Sequence, residues 1–264
     1  MRFRGRAVDA QLLEPAGFVC TASWLKRGQT LHFFFNRDEL RTREGALPPS
    51  AHARDGLGWI APADGRAHGT WIAADAQGLV VALLNRSDGN RPAETTSRGL
   101  LIPSLVGAAN GEALVRGLAR ARLASFAPFR LVALWRHLED GVLAGWDGAR
   151  LDLEQLSGDA GLVCSSGLGD ERAAAARGEV WRRLRAELVE VTPELHRRFH
   201  RDHSPAPSAW SVCVHRPEAV TVSFSELELS EERVVMRYSP GSPCEAAEPL
   251  VAELAAVTPP ASED

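Results

Sequence analysis

The sequence predicts an α+β fold in which two antiparallel sheets are stacked between helical layers. Three observations predict it. From Phe18 to Leu84, short β-rich runs alternate with turn residues, the signature of consecutive hairpins. Helical spacing appears later, at 98–122 and again at Asp170 to Glu190. Strand-like runs then return at 209–215, 219–226 and 231–238, and the short links between strands call for hairpins rather than crossovers.

In the first hairpin, Phe18 to Leu25 and Thr30 to Phe35 flank Lys26-Arg27-Gly28-Gln29. A symmetric pairing about those four residues places Cys20 opposite Phe35, with 36–39 emerging beside the cysteine. A second hairpin is predicted from Gly69 to Ala74 and from Leu79 to Leu84, turning at Asp75 to Gly78 and leaving Asn85 at the far strand end. Leu101, Leu105, Leu114, Leu118 and Ala121 share one face of the first helical region. Further strands are expected at 129–135 and 160–165. The clearest helix is Asp170 to Glu190, where Ala173 to Ala176 combine strong propensity with the apolar positions Val180, Leu184 and Leu188.

The chain divides into an extension at 1–19, one domain at 20–240, and a tail at 241–264 rich in Pro, Ser, Ala and Glu that is expected to lie loosely on the surface. At 264 residues and 45% hydrophobic content, the chain can bury a sizeable core. A net charge of -4 without any Lys/Arg block argues against a nucleic-acid partner. No run approaches the length of a transmembrane segment, and Gln11, Glu14 and Pro15 interrupt any secretory signal, so a cytoplasmic location is expected. Cys20, Cys164, Cys213 and Cys244 show no CxxC spacing and are read as reduced thiols. Lys26 is the only lysine, and the arginine and alanine bias suits a GC-rich bacterial genome.

Five short motifs follow one another: Cys20-Thr21, Asn36-Arg37-Asp38-Glu39, Gly69-Thr70-Trp71, Leu84-Asn85-Arg86 and Ser97-Arg98-Gly99. This ordered series resembles the NRDE family, also called the Transport and Golgi organisation protein two family, from Cys20 to about Ser225. That family is in turn similar to penicillin V acylases and bile salt hydrolases. The resemblance implies a four-layer αββα sandwich of the N-terminal-nucleophile hydrolase type and a linear, non-peptide amide as substrate. It assigns Cys20 as nucleophile, Arg37 and Asp38 as its basic and acidic partners, and Asn85 as an oxyanion donor. Ser166 stands where those acylases carry a second asparagine, and Val220 where they carry a late arginine. Asn36 and Arg98 are expected to contact substrate.

The chemistry suits those residue types. A free α-amino group, with a reference pKa of about 7.7 to 8.0, can take the proton of its own thiol, so one residue supplies both nucleophile and base. Asp38 would hold the resulting ammonium, Arg37 would favour the thiolate, and Asn85 would donate to the oxyanion. The base exists only when Cys20 is the first residue, and Val19 fits a GTG start codon decoded as methionine, so translation is expected to begin there. Gly69-Thr70-Trp71 is read as structural, with Gly69 allowing close backbone approach and Trp71 packing. His196, His200 and His203 lack a carboxylate or HExxH pattern and are explained by a surface helix and its exit loop; neither a metal nor a cofactor is expected. The alternative to an enzyme is a binding or carrier protein for a hydrophobic ligand, haem or lipid, as eukaryotic relatives suggest; Pro243 precedes Cys244, so the order of a Cys-Pro haem motif is reversed. A third reading is an interaction module in which the NRDE run only stabilises the hairpin.

Overall fold

The computed structural model describes residues 17–258 except 94, 168–169, 205 and 246–247, with backbone alone at 17–19 and 167. Residues 1–16 of the expected extension and 259–264 of the expected tail lie outside the described residues. Two antiparallel sheets form the centre. The first has six strands in the order β10 (Ala160–Gly167), β1 (Gly17–Arg27), β2 (Thr30–Leu40), β11 (Ala219–Leu229), β12 (Arg233–Pro240) and β13 (Leu250–Ala255). The second has seven: β3 (Leu47–Arg54), β4 (Leu57–Ala63), β5 (Ile72–Asp75), β6 (Leu79–Asn85), β7 (Phe129–Trp135), β8 (Gly141–Trp146) and β9 (Leu151–Leu156).

Strand alternation builds the layers. Trp24, Phe33, Phe35 and Met236 of the first sheet meet Ile72, Val80, Ala82, Leu84 and Val132 of the second in one buried cluster. Each large apolar side chain there contributes roughly 1.5 to 3 kcal/mol by leaving water. The opposite face of the second sheet, with Val81, Leu131 and Ala133, is covered by Ile102, Leu105, Leu114 and Leu118 from α1 (Ile102–Leu105) and α2 (Gly111–Arg120). The outer face of the first sheet is covered by α3 (Asp170–Ala186) and α4 (Pro193–Arg201), which pack on each other through Leu184, Leu195 and Phe199. The predicted αββα sandwich is therefore the observed fold.

Several local expectations are corrected. The first hairpin closes through Gly28 and Gln29 alone, because Gly28 adopts φ +57° at the first loop position of a tight two-residue turn. The strands consequently run on to Arg27 and Thr30, and Cys20 pairs with Arg37 while Phe35 pairs with Ala22. The helix predicted over 98–122 is broken into α1 and α2. Asp75 Oδ2 accepts the Gly107 amide at 2.9 Å, drawing the intervening loop onto the β5 turn, and the Asn110 side chain then caps α2 through the Ala113 amide.

Residues 209–215 form a loop carrying one isolated bridge, His215 to Val220, rather than a strand. The Ser208 hydroxyl accepts the Trp210 amide, and the Cys213 amide goes to the Asp202 carbonyl, so local bonds replace a ladder. Within the tail expected to lie loosely, Leu250–Ala255 is instead an ordered edge strand paired with β12. His196 and His200 are fully buried under the first sheet, not on a surface helix face.

Candidate functional site

The site begins with the alternation of β1 and β2. Cys20 and Arg37 are cross-strand partners and point between the sheets, beside the cluster containing Ala22, Phe33 and Phe35. Together with Asp38, Glu39, Asp64, Trp71, Asn85 and Arg98 they line a cavity of about 450 Å³. Asn85, the last residue of β6, and Arg98, in a single helical turn before α1, bring the second sheet's side of the wall. The hairpin and the second sheet thus bring together five of the seven residues singled out in the sequence: Cys20, Arg37, Asp38, Asn85 and Arg98.

Arg37 is held from three sides. Its Nη2 donates to Asp64 Oδ2 at 2.6 Å and to Glu39 Oε2 at 3.5 Å, and its guanidinium carbon lies 4.1 Å from the centroid of the Trp71 ring. Asp64 also accepts from Arg43 Nη2 at 2.9 Å and from the Ala67 amide at 2.8 Å. Burial pushes the Asp64 carboxyl up, but that amide and the Arg43 guanidinium hold it below its ordinary value. Trp71, read from sequence as packing only, therefore also forms part of the cavity wall. Gly69 behaves as expected: a Cβ there would meet the Gly99 backbone at 2.6 Å, while the Thr70 amide donates to the Gly99 carbonyl at 3.0 Å.

Asp38 turns its carboxylate the other way, toward the helical layer. Oδ1 accepts the Thr221 hydroxyl at 2.5 Å, and Oδ2 lies 3.7 Å from Arg177 Nη2 without a hydrogen bond. Burial pushes this carboxyl up to about 7; Arg177 and Thr221 pull it back. Arg177 is itself fully buried, donating to the Cys20 carbonyl at 3.2 Å, Thr21 Oγ1 at 2.6 Å and the Ser211 carbonyl at 3.2 Å.

The Cys20 thiol is pushed up to about 12, first by burial and then by the neighbouring Asp38 carboxylate; the Asp38 backbone amide and Arg37 oppose this. The expectation that Arg37 favours the thiolate is thus outweighed by desolvation. Arg98 donates to the Pro128 carbonyl at 2.8 Å, and burial lowers its guanidinium to about 10.

Two expected site residues lie elsewhere. Asn36 is fully buried against the helical layer, donating to the carbonyls of His200 and Val212 at 2.9 Å each, so it fixes the chain after α4 and does not line the cavity. Ser166 does not line the cavity either, and its amide donates to Asp170 Oδ1 at 2.5 Å. Its neighbour Ser165 is the residue opposite Cys20, and Ser165 Oγ accepts the Cys20 amide at 3.3 Å. Val220, standing where the acylases have an arginine, pairs with Glu39. Sequence reasoning missed Asp64, Arg177, Thr221 and Ser165. A signal existed for Arg177, which lies four residues after Ala173 on the buried stripe of α3 that Leu184 continues.

Two stacked antiparallel sheets between helices, with a cysteine on the first strand facing an arginine across the hairpin, define a protein of the N-terminal-nucleophile hydrolase fold. Residues 20–149 match the sequence model of the family described as TANGO2, Transport and Golgi organisation 2, so the resemblance read from the five motifs holds over the segment that carries them. Among solved structures, the chain is similar to the Caenorhabditis elegans ortholog of N-acylethanolamine-hydrolyzing acid amidase, at 15% identity and TM-score 0.54, covering 79% of this chain and 92% of that one. It is also similar to two variants of conjugated bile acid hydrolase from Clostridium perfringens, at 11% and 12% identity and TM-scores of 0.50 and 0.52, each covering 89% of this chain and 92% of the other. No protein among the curated sequences matches significantly. Among the described residues no helix is long and apolar enough to cross a membrane.

Proposed function

We propose that the protein is a cysteine amidohydrolase of linear, non-peptide amides whose working form begins at Cys20. The observation that carries this reading is the convergence of Cys20, Arg37, Asn85 and Arg98 on one cavity, with the backbone amide of Asp38 at the Cys20 thiol. An internal Cys20 with its thiol pushed up to about 12 is a poor nucleophile at neutral pH. A free amine changes that. The thiol passes its proton to the α-amine and sulfur attacks the amide carbon, and Asn85 donates to the oxyanion. Collapse returns that proton to the leaving amine and leaves a thioester, which water hydrolyses to regenerate the thiol and release the acid. Asp38 Oδ2, lacking a hydrogen bond, suits the ammonium formed in between. Arg98 suits a polar or anionic end of the substrate.

By their names the structural relatives are an amidase that hydrolyses an N-acylethanolamine and a hydrolase of conjugated bile acid, both acting on small molecules. The charged wall formed by Arg37, Glu39, Arg43, Asp64 and Arg98 favours such a substrate over the hydrophobic cargo of a haem or lipid carrier.

The test is a chain produced with Cys20 as first residue, assayed against a series of N-acyl amides of varied acyl length. We expect acid release from that chain, and none from Cys20→Ala or from a chain retaining residues 1–19. A folded Cys20-first chain that neither cleaves any member of the series nor forms a thioester would sink the proposal.

A further inference from the structure

Away from the cavity, two segments bring four metal-ligating side chains to one place. His203, Cys213 and His215 lie in the chain between α4 and β11, and Cys244 lies just beyond β12. Cys213 Sγ is 3.6 Å from Cys244 Sγ and 3.4 Å from His215 Nε2, and His215 Nε2 is 3.1 Å from Cys244 Sγ. Ligand atoms of His203, His215 and Cys244 all lie within 4.8 Å of one another, and the His203 ring meets the His215 ring edge-on at 5.5 Å between centroids.

These separations can be compared with what an ion requires. Zinc binds sulfur at about 2.3 Å and imidazole nitrogen at about 2.0 to 2.1 Å; at tetrahedral angles that puts two sulfurs about 3.8 Å apart and a sulfur and a nitrogen about 3.6 Å apart. The separations among Cys213, His215 and Cys244 are slightly shorter, whereas His203 lies within 4.8 Å of His215 and Cys244, so an ion enters with small outward movements of the first three side chains and an inward movement of His203. Two thiols and two imidazoles are also the donor set that zinc prefers over magnesium or calcium.

The position has a structural consequence. The loop that supplies three of the four groups has no ladder of its own, and it backs directly onto the site. The Val214 amide donates to Thr221 Oγ1 at 2.8 Å, and that hydroxyl donates to Asp38 Oδ1. Asn36 holds the Val212 carbonyl of the same loop.

We propose that His203, Cys213, His215 and Cys244 form a structural zinc site that fastens this loop to the turn after β12 and so braces the support of Asp38. Loading transfers two thiol protons to solvent and uses neutral imidazole lone pairs, with no change of oxidation state. The sequence showed no standard zinc spacing, because the fourth group arrives from a segment 31 residues away. The proposal does not depend on whether the cavity hydrolyses amides.

The experiment uses the full chain, reduced and stripped with a chelator, then titrated with cobalt(II). The expected result is one ion per chain, with thiolate-to-cobalt charge transfer and the visible bands of a tetrahedral site, and a rise in melting temperature on adding zinc. Cys244→Ser, at an exposed position that folding tolerates, and His215→Ala should abolish both signals, while Cys20→Ala should keep them. Absence of binding by the folded reduced protein overturns the proposal. So does a cobalt spectrum unchanged by Cys244→Ser, or metal-free protein isolated with Cys213 and Cys244 oxidised to a disulfide and two hydrogens lighter.

Discussion

The two faces of β2 treat charge differently. Toward the cavity, Arg37 has two carboxylates and an aromatic face, and its main partner Asp64 has a second arginine, Arg43. Toward the helices, Asp38 has one distant guanidinium and one hydroxyl, and the Arg177 that serves it also satisfies two carbonyls and a second hydroxyl. The cavity face is redundant, and the helical face is a single chain of dependences. Redundancy beside open space keeps a wall in place when a ligand displaces one contact. A single chain of bonds in a dry layer fixes one geometry and tolerates no missing member.

The largest expected effect comes from breaking the helical side. Arg177→Met leaves two carbonyls and the Thr21 hydroxyl without their donor and the buried Asp38 carboxylate without its cation, and should cost about 3 to 5 kcal/mol in urea unfolding. Arg37→Met on the opposite face should cost less, about 1 to 3 kcal/mol, because Arg43 and the Ala67 amide still satisfy Asp64. Equal losses from the two substitutions would show that the faces do not differ in the way described.

Acid titration sharpens the contrast within the helical layer. Asp38 is raised from 3.8 to about 7, so the folded state holds its proton more tightly, and this contribution to stability is present at low pH and lost as pH rises toward 7. His196 is lowered from 6.5 to about 3 by burial, and His200 well below 6.5 by burial and then by His196, so both stay neutral between Ser23 and the aromatic rings. Their contribution is present above 6.5 and lost as pH falls below it. The two effects oppose each other. Melting temperatures followed between those limits should therefore fall more steeply on acidification for Asp38→Asn than for the unmodified chain, since only the histidine effect remains. Parallel curves would remove Asp38 as a titrating group. The smallest effect is expected at Glu187→Gln, which breaks an exposed pair with Arg198 outside both layers and should shift stability by less than about 1 kcal/mol.

How much of this was legible in the sequence differs between elements. The hairpin containing Cys20 was visible from its β-rich runs, but its register was set two residues away from the symmetric guess, because a four-residue link contained a tighter turn at Gly28 and Gln29. That slip keeps every side chain on its face and exchanges Phe35 for Arg37 opposite the thiol. The strand β13 was hidden in a tail whose overall composition suggested loose chain, although the short run Leu250-Val251-Ala252 and Leu254-Ala255 within it is apolar.

Periodicity and five ordered motifs by themselves determined the layered α+β fold and brought residues 36–39 beside Cys20, because alternation along a strand and the run of a hairpin are local properties of the chain, while the place of Asn85 in the site came from the resemblance alone. Which residues serve as their partners was decided only in three dimensions. Asp64, Arg177 and Thr221 reach β2 from 27 to 183 positions away in sequence, and no local pattern records that approach. The same holds for the state of the Cys20 thiol. Arginine beside it suggested a thiolate, and only burial, a property of the packed whole, reversed that balance.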